Sequence, residues 1–200
     1  MLFTRIHRRT IVNIFVVEKD PVEAARALLD KHIVKMPLES AQMLSTNHRV
    51  LDGKESRTPK NRKTYVFDDE REQILYKATM MNHPCTVWSR KTLGNYNWLC
   101  IHGIELCEEY TRRYGREHAC KKVIDWCFLN PPKNIPMNTR ITPFAQAMPE
   151  KYKNHDAVIA YRNYYIYEKF SIAKWKNSKT PSWFFQKNSY NFSQTLINNP

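Results

Sequence analysis

The stretch Asp20–Ser45, DPVEAARALLDKHIVKMPLESAQMLS, decides how the rest of the chain is organised. It opens with a helix start signal, because Asp20 suits an N-cap, Pro21 the first helical position and Glu23 the third. Apolar residues then recur at steps of three and four, which is the spacing of a helix lying on a core. The stretch therefore predicts one long helix over 20–46.

Four polar residues share one line along this predicted helix, since His32, Lys35, Glu39 and Gln42 follow at steps of three or four. An imidazole, an ammonium, a carboxylate and an amide held in this way can perform acid–base chemistry on a bound substrate. The same spacing also fits a solvated face with an incidental Lys35–Glu39 pair. Pro37 should kink the helix just before Glu39, so the line survives only if the kink is mild.

Composition and charge favour a polyanionic partner. The chain has 200 residues, which suits one domain, and its 32 Lys and Arg against 19 Asp and Glu give a net charge of +13. Nucleic acid is the commonest partner for such an excess, with an anionic membrane surface as the alternative. No long basic amphipathic helix and no apolar run of membrane-spanning length is present, so a membrane partner is not expected.

The cysteine pattern predicts reduced thiols and no bound metal. The five residues, Cys85, Cys100, Cys107, Cys120 and Cys127, are odd in number and contain no CxxC pair. Their spacing suits small core residues on helices, and it does not suit a Cys/His zinc site. We therefore expect an intracellular, reducing compartment such as cytoplasm or nucleus, and no cofactor.

The rest of the chain predicts an all-α protein, a compact single-domain bundle of about four main helices with long loops. Further helices are expected at 68–80, 86–114, 116–129 and 155–175. The remaining segments are interpreted as a basic N-terminal extension (1–12), a short strand or buried lead-in (13–17), a basic surface loop (47–66), a Pro-rich connection (131–153) and a flexible tail (185–200). The helical domain is expected to span 13–184.

The last predicted helix and the segment after it interleave cations with aromatic residues. Arg162, Lys169 and Lys174 alternate with tyrosines, a pattern that suits a phosphate backbone and unstacked bases. Some of these rings, Tyr161 and Tyr165 first, fit core packing instead.

Two further features have a functional and a structural interpretation. His83, before Pro84, is a candidate base or ligand near the first helix, although a lone loop histidine is equally a structural residue. Trp88 and Trp183 fit the walls of a pocket or the core.

The segment DKHIVKMPLE at 30–39 resembles the first helix of the phage pyrimidine-dimer DNA glycosylase and AP lyase family, of the endonuclease V type. In that family an Asp-x-His is followed, seven residues after the His, by the catalytic Glu, and His32 and Glu39 keep that interval. The run EKFSIAKWKNSKTPSWF at 168–184 resembles the family's C-terminal end and places Lys169 on a DNA-contacting lysine.

Five blocks are also similar to blocks shared by a group of proteins of bacteriophages and large DNA viruses: NIFVVEKDP, DKHIVKM, NHPCTVW, TPFAQAMP and AYRNYY. The resemblance to the glycosylases implies a compact all-helical fold that bends DNA and flips out a nucleotide. It also implies an amine that attacks the sugar C1′ to form a Schiff base, after which the Glu assists strand cleavage.

The chain departs from the family at two places. The family's amine belongs to an N-terminal Thr, whereas this body begins near Asn13 with no Thr at the matching place, so Lys35 is the nearest candidate amine. Leu38 and Gln42 stand where the family has arginines that flank the Glu.

The sequence as a whole predicts an N-glycosylase/AP lyase-like enzyme that acts, as a monomer, on a damaged or modified base in duplex DNA. Its catalytic residues would be Glu39, His32 and Lys35. Its nucleic-acid contacts would be Gln42, His83, Arg162, Lys169 and Lys174. Two alternatives stay open: a non-catalytic nucleic-acid-binding protein on the same fold, and an enzyme that acts on free nucleotides.

Overall fold

The structure, a computed structural model, describes residues 13–185, which contain seven α-helices and one β-hairpin. The helices are α1 (Pro21–Arg26), α2 (Asp30–Asp52), α3 (Arg71–Ile74), α4 (Pro84–Ser89), α5 (Leu93–Tyr114), α6 (Lys121–Leu129) and α7 (Ala157–Glu168). The strands are β1 (Lys54–Arg57) and β2 (Lys63–Val66), and short 3₁₀ turns cover Glu150–Tyr152, Phe170–Ile172 and Ser182–Phe185. The prediction of a compact, all-α fold is confirmed. The expectations for 1–12 and 186–200 lie outside the described residues.

The predicted helix over 20–46 is two helices. Asp20 caps α1 as expected, since its carboxylate accepts from the backbone N–H groups of Val22 and Glu23 at 2.9 and 3.0 Å. The helix then ends, because the buried Arg113 guanidinium donates hydrogen bonds to the carbonyls of Arg26 and Leu28 at 3.1 and 2.9 Å. An external donor thus replaces the helical hydrogen bonds that would continue α1.

Helix α2 runs through Pro37 without a break. The proline ring crowds the carbonyls of the preceding turn and has no N–H to offer them. His118 lies in the same region, with its Nε2 3.2 Å from the carbonyl oxygen of Val34, three residues before the proline. The predicted polar line from His32 to Gln42 therefore stays on one helix.

Helix α2 lies at the centre of the molecule, packed along α5 and also against α4 and α6. Gly103 lets α5 approach closely, since a Cβ there would lie 3.2 Å from the Cβ of Ser40 and 3.2 Å from a methyl group of Ile124. One hydrophobic cluster runs through the described residues and includes Ile33 and Leu44 of α2. The central helix is thus held on several sides.

The predicted helix over 86–114 divides into α4 and α5. Thr92 begins α5 as an N-cap, because its hydroxyl accepts from the Asn95 N–H at 3.1 Å. The Asn95 side chain in turn donates to the Trp88 carbonyl at 2.8 Å, which ends α4. Side-chain hydrogen bonds at the end of α4 and at the start of α5 therefore stabilise the turn between the two helices.

Other predicted boundaries also differ. The expected helices at 68–80, 116–129 and 155–175 shorten to α3, α6 and α7. Of the two interpretations of 13–17, the buried lead-in is confirmed and the short strand is wrong, because the segment is buried and irregular and Phe15 has a left-handed φ of 41°. A β-branched or aromatic residue rarely adopts this backbone conformation, so the segment does not join a sheet.

The segment 47–66 is not a surface loop. Helix α2 continues to Asp52, and an antiparallel hairpin follows, with Lys54 opposite Val66 and Arg57 opposite Lys63. Arg49, 0% exposed, holds this hairpin on α2. Its guanidinium donates to the carbonyls of Tyr65, Leu75 and Tyr76 and to the Glu72 carboxylate, at 2.6 to 3.1 Å.

Candidate active site around Glu39

Glu39 is a buried carboxylate with two partners. Its side chain is 2% exposed, and its Oε2 accepts from the backbone N–H of Asn13 at 2.9 Å. The ammonium of Lys35 lies 2.6 Å from Oε1. Burial raises the pKa of Glu39, while Lys35 and the Asn13 N–H oppose that rise. The carboxylate is therefore a stronger base than one in water.

Lys35 is the part of this pair that solvent reaches, since its side chain is 48% exposed. Around it, the face of α2 is open to solvent and partly apolar, with Val34 at 46% and Leu38 at 42% exposed. Gln42, one turn beyond Leu38, is half-buried. A molecule that approaches α2 from solvent would meet the amine first and the carboxylate behind it.

His32 lies at the same site as a neutral group. It is 8% exposed, its Nδ1 is hydrogen-bonded to the Tyr165 hydroxyl, and its ring stacks on Phe15 at 4.2 Å. Burial, together with the charges of Lys169 and Lys35, lowers the pKa of His32 to about 3. A neutral imidazole with a fixed ring orients its neighbours and does not act as an acid near pH 7.

The blocks quoted from the sequence meet around Glu39. Asn13 donates its side-chain amide to the Ala147 carbonyl at 2.8 Å, and the Tyr161 hydroxyl donates to the Ala145 carbonyl at 2.9 Å. Cys85, at the start of α4, lies beside Tyr161 and close enough to Glu39 to feel its charge. Burial raises the pKa of the Cys85 thiol to about 12, so this sulfur is a packing group rather than a nucleophile.

His83 has a structural position next to this site. It is the N-cap of α4, and its Nδ1 accepts from the Cys85 N–H at 3.3 Å. Burial lowers its pKa, which favours the neutral acceptor that this cap requires. His83 therefore supports the helix that carries Cys85, and it does not itself contact Glu39 among the interactions of the described residues.

The predicted phosphate-binding cations differ in their availability. Arg162 is engaged, because its guanidinium donates to the Val17 carbonyl at 2.9 Å and also contacts Glu18. Lys169 ends α7, where its ammonium lies 4.7 Å from the centre of the Tyr164 ring. Lys174 is exposed, and its backbone carbonyl accepts from the Asp30 N–H at 2.8 Å, while its ammonium has no acidic partner within residues 13–185.

Several residues of the site escaped sequence reasoning. Asn13 and Phe15 lie in a block that was quoted for its resemblance alone, and no spacing rule connects them to Glu39. Trp88 and Trp183, which fitted either a pocket or the core, are both buried, at 4% and 5% exposed. The resemblance of the blocks was therefore a better guide to the site than residue type.

Cavities and metal-ligand groups add no further evidence for a site at Glu39. Four surface cavities of about 240 to 520 Å³ lie elsewhere in the described part of the chain, and Glu39 lines none of them. Within residues 13–185, no three His, Cys, Asp or Glu side chains are grouped as metal ligands would be. None of the described helices is both long enough and apolar enough to cross a bilayer.

Comparison with known proteins gives one match. The sequence profile of a family described as pyrimidine dimer DNA glycosylase matches residues 12–122, more than half of the chain. The matched region includes Asn13, all of α2 and the start of α4. No curated protein and no solved structure matches the chain.

Proposed function

The chain belongs to the pyrimidine dimer DNA glycosylase family, and we propose that it is a monomeric DNA N-glycosylase/AP lyase that acts on a damaged or modified base in duplex DNA. The observation that carries the proposal is the pair formed by Lys35 Nζ and Glu39 Oε1 at 2.6 Å. An amine and a carboxylate are the two groups that this chemistry needs side by side. An intracellular, reducing compartment fits the five free, buried thiols.

The amine must be neutral to attack C1′ of the deoxyribose. Because burial raises the pKa of Glu39, its carboxylate is suited to take a proton from the Lys35 ammonium. The neutral amine then adds to C1′ as the C1′–N bond to the base breaks, and the departing base takes one proton from the attacking nitrogen. Glu39 returns its proton to O4′ as the C1′–O4′ bond opens, which gives the protonated imine between Lys35 and the sugar and leaves Glu39 ionised again. Glu39 can next assist loss of the 3′-phosphate by moving the proton from C2′.

The backbone N–H of Asn13 donates a hydrogen bond to Glu39 Oε2, while Lys35 contacts the other carboxylate oxygen. The Asn13 nitrogen belongs to a peptide bond in the present chain, so it orients the carboxylate and does not act as an amine. His32 contributes through its stacking on Phe15, which lies within the same segment as Asn13. We propose that His32 positions this segment and that Gln42 contacts the base or the backbone of the DNA.

The phosphate contacts in this proposal come from the cations that the structure leaves open. Lys174 is exposed, and Lys169 lies over the half-buried Tyr164 ring, which offers an aromatic surface beside a cation. Leu38 is exposed next to Glu39, at the position where the family has an arginine. The surface that would face the substrate therefore has one positive charge fewer in this chain. We therefore propose a lesion that is recognised partly by apolar contact, with the pyrimidine dimer as the first substrate to test.

The experiment is borohydride trapping on duplex oligonucleotides that carry a pyrimidine dimer, a modified base or an abasic site. Reduction should freeze the imine as a covalent protein–DNA complex, and peptide mapping should find the DNA on Lys35. Lys35→Ala should abolish the complex. The matched control is Lys31→Ala, which removes an exposed lysine one turn away that has no acidic partner among the described residues.

Each other outcome has a defined meaning. Trapping that persists in Lys35→Ala, or that maps to another residue, excludes Lys35 as the nucleophile. Glu39→Gln should remove turnover and keep DNA affinity. A wild-type protein that binds duplex DNA and gives neither trapping nor cleavage is the non-catalytic binding protein, and turnover of free nucleosides without duplex affinity identifies the nucleotide enzyme.

A further inference from the structure

The hairpin has a cationic tip, formed by residues 57–63, that the described acidic residues do not neutralise. Lys60 and Arg62 are exposed and pair with no carboxylate in the described part of the chain. The nearest acidic residues already form ion pairs closer to α2, Glu55 with Lys63 and Asp68 with Lys54. The hairpin therefore presents positive charge at its free end.

The tip is an ordered turn. The Thr58 N–H donates to the Arg62 carbonyl at 2.9 Å, and the Asn61 N–H donates to the Thr58 carbonyl at 2.8 Å. Asn61 has a left-handed φ of 54°, a conformation that asparagine tolerates in turns. The other end of the hairpin is fixed to α2 by buried Arg49. The cations are thus held on a firm support rather than on a loose loop.

A second, independent feature at the foot of the hairpin also lacks an anionic partner. Arg90 ends α4 beside Tyr65 of β2, and its Nη1 is buried with no hydrogen-bond partner among the described residues. Burial lowers the pKa of this guanidinium, since no carboxylate compensates. This nitrogen is enclosed, so it contributes positive charge at the foot of the hairpin and is not itself reached by a ligand.

The hairpin borders the open face of α2. Lys31, Lys35, Leu38 and Gln42 follow at steps of four, three and four, and Arg49 lies one heptad beyond Gln42 on the same face. Solvent reaches the first part of this face, whereas the hairpin and the chain after it cover Arg49. Glu39 and Lys54, the first residue of β1, are 15 residues apart, and the helical part of that span, from Glu39 to Asp52, is about 20 Å long.

We propose that the hairpin tip is a second DNA-contacting element, which binds the phosphate backbone of the duplex on one side of the nucleotide at Glu39. Duplex DNA is the occupant because the tip is positive and the exposed face of α2 also carries cations, Lys31 and Lys35. The proposal rests on the proposed function for its choice of DNA.

The test is the salt dependence of binding to an undamaged duplex. Lys60→Gln/Arg62→Gln removes one lysine and one arginine without acidic partners among the described residues, and Lys122→Gln/Arg140→Gln is the matched control, since it removes one exposed lysine and one exposed arginine elsewhere that also lack such partners. The hairpin variant should reduce the slope of log K against log salt by about 2 and weaken binding about 60-fold at 0.1 M salt. The control should keep the wild-type slope.

Placement is tested with abasic-site duplexes shortened to three base pairs on one side or the other. The hairpin variant should differ from wild type on only one of the two, because only one retains the distant phosphates. An unchanged slope in the hairpin variant, equal losses in both variants, or a difference on both short duplexes would overturn the inference.

Failure here is distinguishable from failure of the proposed function. Successful borohydride trapping with an unchanged slope in Lys60→Gln/Arg62→Gln leaves the enzyme and removes the hairpin contact. A reduced slope without any trapping leaves a DNA contact on a protein that is not a lyase.

Discussion

Replacement of Lys35 by Met tests the central pair most directly. The ammonium lies 2.6 Å from Glu39 Oε1, and this oxygen has no other partner among the described residues. The substitution therefore leaves a buried carboxylate with the Asn13 N–H alone. An unsatisfied buried charged group costs about 1–3 kcal/mol or more, and the lower part of this range applies because Lys35 is half-exposed and water can follow it.

The loss of stability should depend on pH. Lys35 lowers the pKa of Glu39, so its removal moves this pKa further above the value in the unfolded chain. A carboxyl group with a raised pKa in the folded state is destabilising when ionised, and the penalty disappears as the pH falls below the folded-state pKa. The difference between Lys35→Met and wild type should thus be largest near pH 8 and shrink towards pH 4.

Thermal unfolding across this pH range measures the effect, with about 2–4 °C expected for each kcal/mol in a protein of this size. Lys31→Met is the control and should match wild type at every pH. Adding Glu39→Gln to Lys35→Met should restore most of the lost stability, since it removes the unpaired charge. Equal stability of Lys35→Met and wild type at pH 8 would refute the buried pair as described.

Three further changes test the fold around the site. His102 is 0% exposed, and neither of its ring nitrogens has a hydrogen-bond partner within residues 13–185. Burial lowers its pKa to about 3. As the pH falls below about 6.5, this histidine therefore binds a proton in the unfolded chain but not in the folded one. His102→Leu should therefore reduce the loss of unfolding free energy between pH 6 and 4 by about 1.4 kcal/mol per pH unit, which urea titrations would show. Gly94→Ala would place a Cβ 2.2 Å from the Thr139 carbonyl oxygen, so we expect a loss of about 1–3 kcal/mol in chemical denaturation. Arg49→Met removes a fully buried cation with four acceptors, which should cost about 3 kcal/mol or more, and hydrogen exchange should show faster opening of the hairpin than of α5.

Periodicity and capping predicted the helical class and the polar line on α2, because both depend on short-range spacing. They placed the end of α2 too early, since Asn47, His48 and Arg49 look like loop residues. In the structure Asn47 donates to Ser89 at 2.8 Å and His48 Nε2 lies 2.8 Å from the Tyr96 hydroxyl, so each of these side chains has one hydrogen-bond partner inside the core. Their partners are 42 and 48 residues away, beyond the reach of any local rule.

The site shows the same limit. The interval between His32 and Glu39 and the step from Lys35 to Glu39 are local, and both were available from the sequence. The contact between Asn13 and Glu39 spans 26 residues and depends on the left-handed backbone at Phe15, which sequence spacing does not reveal. The hairpin escaped prediction because its strands are short and charged.

Two fully buried arginines hold opposite ends of α2. Arg113 joins Asp30 to the carbonyls of Arg26 and Leu28, and Arg49 joins the last turns to the segment after the hairpin. A helix fastened at both extremities has little freedom to reshape itself around a ligand. If a ligand binds to the open face of α2, the ligand and not the helix is therefore expected to change conformation. A DNA duplex bound there would have to bend or open, while α2 stays as it is.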